Sequence, residues 1–143
     1  MKPIDPNQPT IEMRQRTLMI IWFALCMSLV MYLLFIRLVP VESAVNQKLS
    51  LMLNTLGLIP VAASFLIKQV LLGKATESQQ VQLVHTAYIL AFVLCEISAL
   101  LGLFDNRVTG SNYYYIGFAI GGLGMLLHFP RKQHLIDAAQ RQF

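Results

Sequence analysis

The sequence predicts an all-α integral membrane protein, a four-helix bundle with both the N-terminus and the C-terminus in the cytoplasm. Three observations lead to this prediction. The chain is 56% hydrophobic and only 13% charged, whereas soluble domains contain about 25% charged residues. Its charges are separated by long apolar runs, and its basic residues are concentrated in alternate loops. A chain of 143 residues is too short to hide so much apolar surface from water. We therefore expect neither a soluble enzyme nor a nucleic-acid-binding domain.

The uncharged runs have the length that a membrane helix needs. Residues 17–36, 49–67 and 108–130 contain no Lys, Arg, Asp or Glu, and residues 78–104 contain only Glu96. About 20 apolar residues cross a hydrocarbon core of about 30 Å. None of these runs has the broad polar face that a soluble helix shows to water. We therefore expect four spans rather than four helices of a soluble bundle.

The predicted spans cover residues 18–38, 49–72, 81–104 and 113–129 of a single membrane domain, 1–143. The segments between them are short, so we expect no soluble domain on either side. No sequence motif of a hydrolase or nucleotide-binding enzyme is present. Together these features predict that the protein is not an enzyme.

The ends of the predicted helices carry recognisable signals. Residues 1–16 read as a polar tail followed by the start of the first helix, which Thr10 can cap. Pro40 is expected to terminate that helix, and Pro60 is expected to kink the second. Residues 130–143 mix apolar and basic side chains, so either a short interfacial helix or a frayed tail is consistent with them.

The basic residues predict the orientation of the chain. Eight of them flank the N-terminus, the middle loop and the C-terminus, and three flank the other two loops. The first group is Lys2, Arg14, Arg16, Lys68, Lys74, Arg131, Lys132 and Arg141, and the second is Arg37, Lys48 and Arg107. The positive-inside rule places the larger group in the cytoplasm. We expect the inner membrane of a bacterium.

Glu96 is the first candidate for a functional residue, because an acid inside a span is costly and usually functional. Burial in the membrane is expected to favour its protonated form. A protonated Glu can donate a hydrogen bond that holds two helices together, or it can load and release a proton. Both roles remain open at this point.

The segment around this acid is similar to part of a known family. Residues 88–103 resemble the acid-bearing helix of the rotary ATPase proteolipid, subunit c, in which a Glu is followed by Ala three residues later and Gly six residues later. Here these positions are Glu96, Ala99 and Gly102. The resemblance implies that Glu96 would carry the transported proton or Na⁺.

Three further polar side chains in the spans could extend such a site. His85 and Tyr88 share with Glu96 the helix face that is expected to pack on other helices. His85 could belong to a proton path or ligate a haem or chlorophyll-type macrocycle. Lys68 can reach the cytoplasmic surface and could pair with an acid there. We predict no obligatory cofactor and no metal site, since the two cysteines, Cys26 and Cys95, show no metal-ligand spacing.

Small residues predict where helices come close together. Gly57 and Pro60 lie at the centre of the second span. The fourth span contains Gly117, Gly121, Gly122 and Gly124, and the first two form a GxxxG motif that lets another helix approach. This face can pack within the chain, mediate self-association or contact other membrane subunits.

These features favour a structural or accessory subunit of a larger membrane complex, surrounded by lipid. One alternative is a proton- or ion-translocating proteolipid-like protein that uses Glu96 as the carrier. A second alternative is a cofactor-binding membrane subunit of an energy-converting complex, with His85 as the ligand.

Overall fold

A computed structural model describes residues 10–41 and 45–140 and confirms that this part of the chain is all-helical. It contains five helices and no strand in these two ranges. The helices are α1 (Ile11–Leu38), α2 (Gln47–Ser78), α3 (Val81–Thr109), α4 (Tyr114–Leu127) and α5 (Lys132–Gln140). The predicted tail over residues 1–9 and the last three residues of the chain lie outside the described ranges.

Three helices, α1, α2 and α3, are long and apolar enough to cross a membrane. The fourth apolar helix has only 14 residues, a length of about 21 Å at a rise of about 1.5 Å per residue. It begins at Tyr114, one residue later than predicted. Before it, α3 continues beyond residue 104 to Thr109 and is capped by Gly110, whose φ of 59° is left-handed. At the other end, α4 stops at the cap residue His128, two residues before Pro130. The structure therefore supports three spans and a shorter apolar helix.

The two ends of α1 follow from capping interactions. The Thr10 hydroxyl accepts a hydrogen bond from the Met13 amide at 3.3 Å, as predicted for an N-cap. The helix ends at Leu38, two residues before Pro40.

The Arg107 guanidinium, on α3, donates to the carbonyls of Val39 at 2.8 Å and Phe35 at 3.1 Å. It thereby adds a second donor to the Phe35 carbonyl, which also accepts from the Val39 backbone N–H, and places a positive charge at the negative end of the helix dipole.

The long helix α3 is the centre of the fold, because it contacts each of the other four helices. Its predicted contact face is confirmed: Tyr88, Phe92 and Cys95 are fully buried. On its opposite face, Leu90 and Val93 are exposed. By contrast, α1 packs mainly on α3 and leaves most of its own surface uncovered.

The glycines of α4 pack against α3 within the chain. A Cβ atom added at Gly121 would lie 2.7 Å from the Cys95 carbonyl oxygen, and one added at Gly117 would lie 3.0 Å from the Gly102 Cα atom. Gly124 faces the Cys95 side chain in the same way, whereas Gly122 faces open space. The predicted close approach is therefore found inside the molecule at Gly117, Gly121 and Gly124. Gly57, on α2, packs on Ser98 of α3.

The C-terminal segment forms the short helix α5, so the alternative of a frayed tail is wrong for residues 132–140. Leu135 and Ala138 are buried in a cluster with Leu18 of α1, Ala75 of α2 and Val84 of α3. This apolar contact holds α5 against the end of the bundle.

Candidate functional site

Glu96 joins α3 to α1. Its Oε1 atom accepts hydrogen bonds from the Ser28 hydroxyl at 2.7 Å and the Tyr32 hydroxyl at 3.0 Å. Ser28 and Tyr32 are four residues apart on α1, so their side chains lie on the same helix face. The acid is half-buried, and the three side chains form one polar contact between two apolar helices.

The Ser28 hydroxyl makes two arrangements of protons possible at this contact. Its oxygen lies 2.7 Å from the Leu25 carbonyl oxygen and also 2.7 Å from Glu96 Oε1. A hydroxyl has a single proton to donate. If Ser28 donates to Glu96, the carboxylate is ionised and accepts two hydrogen bonds. If Ser28 donates to Leu25, a protonated Glu96 can donate to Ser28. The same heavy-atom positions thus fit either protonation state.

A second acid, Asp105 of α3, is completely buried, and it was not among the residues predicted from the sequence. Its Oδ2 atom accepts from the Ser50 hydroxyl at 2.7 Å and from the Asn54 amide at 2.8 Å. Its Oδ1 atom lies 2.8 Å from the Thr109 hydroxyl one turn later. The carboxyl group is thus surrounded by hydrogen-bond donors from two helices.

Asn54 extends this network to α4. Its amide nitrogen donates both to Asp105 and to the Ser50 carbonyl, at 2.9 Å, and its amide oxygen accepts from the Gly117 backbone N–H at 3.1 Å. Asn54 therefore ties three helices together. Ser50, Asn54, Gly57 and Ser64 recur at helical spacing along α2. This run of small and polar residues was the sequence signal that could have revealed the network.

At the other end of the bundle, Lys68 forms no ion pair with an acid in the described ranges 10–41 and 45–140. Its ammonium nitrogen lies 3.4 Å from His128 Nδ1 and 4.3 Å from the centre of the Tyr88 ring. Tyr88 in turn contacts His134 Nδ1 through its hydroxyl at 2.7 Å. The ammonium group thus meets the Tyr88 ring of α3 and a nitrogen of His128, which α4 brings to this part of α2.

The hydrogen bonds of His128 fix its protonation pattern. Lys68 has only donors, so His128 Nδ1 must accept. His128 Nε2 therefore carries the proton and donates to the Ser64 hydroxyl at 2.8 Å. Ser64 donates in turn to the Val61 carbonyl at 2.6 Å. In this arrangement both ring nitrogens of His128 and the Ser64 hydroxyl are hydrogen-bonded, and His128 is a neutral partner of the Lys68 ammonium group.

His85 lies apart from both Glu96 and Lys68. It is half-buried and lines a small surface pocket of about 180 Å³ between the first turns of α1 and α3. Among the described residues, no three His, Cys, Asp or Glu side chains are grouped as metal ligands would be. The structure thus brings Lys68 and Tyr88 together and places His85 and Glu96 in separate contacts.

No protein-family model, curated protein sequence or solved structure matches this chain. The function must therefore be inferred from the contacts of the chain itself.

Proposed function

We propose that this chain is a subunit of a membrane protein complex and that it docks a partner's transmembrane helix against the exposed face of α1. The observation that carries the proposal is the position of α1 at the edge of the fold. In its most apolar window only 11% of the residues are buried, compared with 44% in α3. A helix of this kind has almost its whole circumference available to lipid or to another protein.

The outward face of α1 is rich in methionine. Met19, Phe23, Met27 and Met31 are all exposed and follow one another every four residues. Methionine side chains are flexible and polarisable, so they adapt to the shape of a partner. A stripe of this composition favours a protein contact, although lipid can also cover it.

The opposite face of α1 holds the helix in a fixed position. Besides the Ser28 and Tyr32 contacts to Glu96, the Trp22 indole nitrogen donates to the Met125 carbonyl of α4 at 2.9 Å. These bonds present the methionine stripe in one orientation. Such preorganisation lowers the entropy lost when a partner binds.

Site-specific photocrosslinking in the native membrane tests this proposal. A photoreactive amino acid at Met27, which is 45% exposed on α1, is compared with one at Ile59, which is 63% exposed on α2. We expect a discrete protein adduct from position 27 and only lipid adducts from position 59. Lipid adducts alone from both positions, together with a monomeric mass in native mass spectrometry, would refute the proposal.

A second candidate function, proton or ion transfer through Glu96, is supported by the two proton arrangements at Ser28. A carboxyl group that fits its surroundings both with and without a proton can exchange that proton at little structural cost. If Glu96 is the carrier, Glu96→Gln abolishes proton flux in proteoliposomes and blocks carbodiimide labelling. The matched variant Asp137→Asn, on the surface of α5, should leave both unchanged. Unaltered flux and labelling in Glu96→Gln would rule out this function.

A further inference from the structure

A cavity of about 250 Å³ opens between the end of α2, the end of α4 and the start of α5. Its polar lining comes from Lys68, Gln69, Arg131 and His134, together with the buried His128. Its apolar lining includes Phe65, Leu72 and Leu127. The lining thus combines basic and apolar side chains.

The two cations of this cavity are available for an anion within the part of the chain that the structure describes. Neither Lys68 nor Arg131 forms an ion pair with any acid in ranges 10–41 and 45–140. Lys68 gives one of its three N–H donors to His128, and Arg131 uses only its backbone N–H, which donates to the Tyr88 hydroxyl at 3.1 Å. The guanidinium group and the remaining ammonium donors therefore have hydrogen-bonding capacity for an anion.

His134 adds a further donor to the same cavity. The Tyr88 hydroxyl accepts from the Arg131 backbone and so can donate its own proton to His134 Nδ1. With Nδ1 as the acceptor, a neutral His134 carries its proton on Nε2. Three side chains around one cavity therefore offer donors, two of them charged.

The apolar lining indicates the type of anion. Leu127 is 67% exposed at the last residue of α4 and stands beside the cavity with Phe65. A free phosphate ion gains nothing from such surfaces, whereas a phospholipid can place its acyl chains on them while its phosphate contacts the cations. Basic pockets between membrane helices bind anionic headgroups in this way.

We propose that this cavity binds the phosphate of an anionic phospholipid through Lys68 and Arg131. The site uses α2, α4 and α5, so it is independent of a partner on α1 and of proton transfer at Glu96. The apolar residues place the acyl chains along the outside of α2 and α4.

Native mass spectrometry and thermal unfolding of the full chain in mild detergent test the assignment. The probes are phosphatidylglycerol, phosphatidylcholine and inorganic phosphate. We expect phosphatidylglycerol to be retained and to raise the melting temperature, whereas the other two probes have little effect. In the double variant Lys68→Gln/Arg131→Gln, we expect the apparent dissociation constant for phosphatidylglycerol to rise roughly 30-fold, since each cation contributes roughly five-fold.

A matched control removes the same charge at the same end of the bundle. Lys74→Gln/Lys132→Gln changes two basic residues that do not line the cavity, and it should retain phosphatidylglycerol. Lys68→Arg/Arg131→Lys keeps the charge and should bind within a few-fold of the native chain, which separates loss of binding from loss of folding. Equal binding of phosphatidylcholine or inorganic phosphate would overturn the assignment. An equal loss of phosphatidylglycerol binding in Lys74→Gln/Lys132→Gln would also overturn it.

Discussion

Asp105 illustrates, at the scale of single residues, how a carboxyl group can be stable between apolar helices. It is 0% exposed, yet hydroxyl or amide groups of Ser50, Asn54 and Thr109 surround it. A buried polar group costs free energy when its partners are missing, and the cost also falls on the partners that lose it. Asp105 is therefore expected to contribute more to stability than the half-buried Glu96.

Replacement of Asp105 by Ala tests this expectation. We expect the free energy of unfolding to fall by about 2–4 kcal/mol, because buried donors lose their acceptor. Asp105→Asn keeps one acceptor oxygen and should lose less. Denaturant titration in detergent micelles measures the change. The exposed Asp137→Ala should shift the free energy by less than about 0.5 kcal/mol. Native stability of Asp105→Ala would show that the network is dispensable.

The two acids also show which residues of a site the sequence can reveal. Glu96 is evident because it stands alone in a long apolar run. Asp105 ends that run, so it looks like a loop residue although α3 continues past it for four more residues. His128 and His134 gain their significance only from contact with Lys68 and Tyr88, which are distant in sequence. Local patterns do not encode such contacts.

At the scale of helices, the contact between α3 and α4 depends on glycine. Gly102 and Gly121 occupy positions where a methyl group would meet backbone atoms of the facing helix at 2.7 Å. The helix interiors were predictable from the apolar runs, because the membrane sets the length of such runs. Their ends were not, since α2 includes Glu77 and α3 includes Arg107. Charged residues continue a helix at little cost once it has left the hydrocarbon.

A pair of glycine variants on α4 separates packing from helix propensity. Gly121→Ala should lower the free energy of unfolding by about 1–3 kcal/mol, because the helices must move apart. Gly122→Ala should cause no loss, since its Cβ would face open space and alanine favours the helix. Thermal unfolding of the two variants in the same detergent measures the difference. Equal stability of both would contradict the α3–α4 contact.

The attachment of α5 should depend on pH through His134. Burial, together with the nearby charges of Lys68 and Arg131, lowers the pKa of His134 below its usual 6.5, although Asp137 opposes this shift. Because the unfolded chain binds the proton more readily, the stabilisation is complete above about pH 6.5 and is lost as the pH falls below that value. We expect the difference in unfolding free energy between the native chain and His134→Gln to shrink between about pH 7.5 and 5. A constant difference would exclude this linkage.

At the scale of the whole molecule, contacts between the helices show which basic residues lie at the same end of the fold. Lys132 on α5 pairs with Glu12 on α1 at 3.3 Å, and Arg14 on α1 donates to Gln82 on α3 at 3.0 Å. Because of these contacts, the start of α1, the turn between α2 and α3, and α5 all lie at one end of the fold. At the opposite end, the backbone N–H of Asn46 donates to the Thr109 carbonyl at 3.1 Å. The basic residues that were predicted to face the cytoplasm therefore lie at one end of the fold, as far as the structure describes them.

The sidedness of these ends, and the crossing by the short helix α4, can be tested in one experiment. Cysteines are introduced at Asn112, before α4, and at Gln133, after it, with Glu77→Cys as a marker for the turn between α2 and α3. The native Cys26 and Cys95 lie within the membrane helices, where a charged, impermeant maleimide does not reach them.

If the positive-inside rule applies, Asn112→Cys is labelled in intact cells, whereas Gln133→Cys and Glu77→Cys are labelled only after permeabilisation. Local thinning of the bilayer can accommodate a helix as short as α4. Labelling of Asn112→Cys and Gln133→Cys from the same side would show that α4 does not cross the membrane.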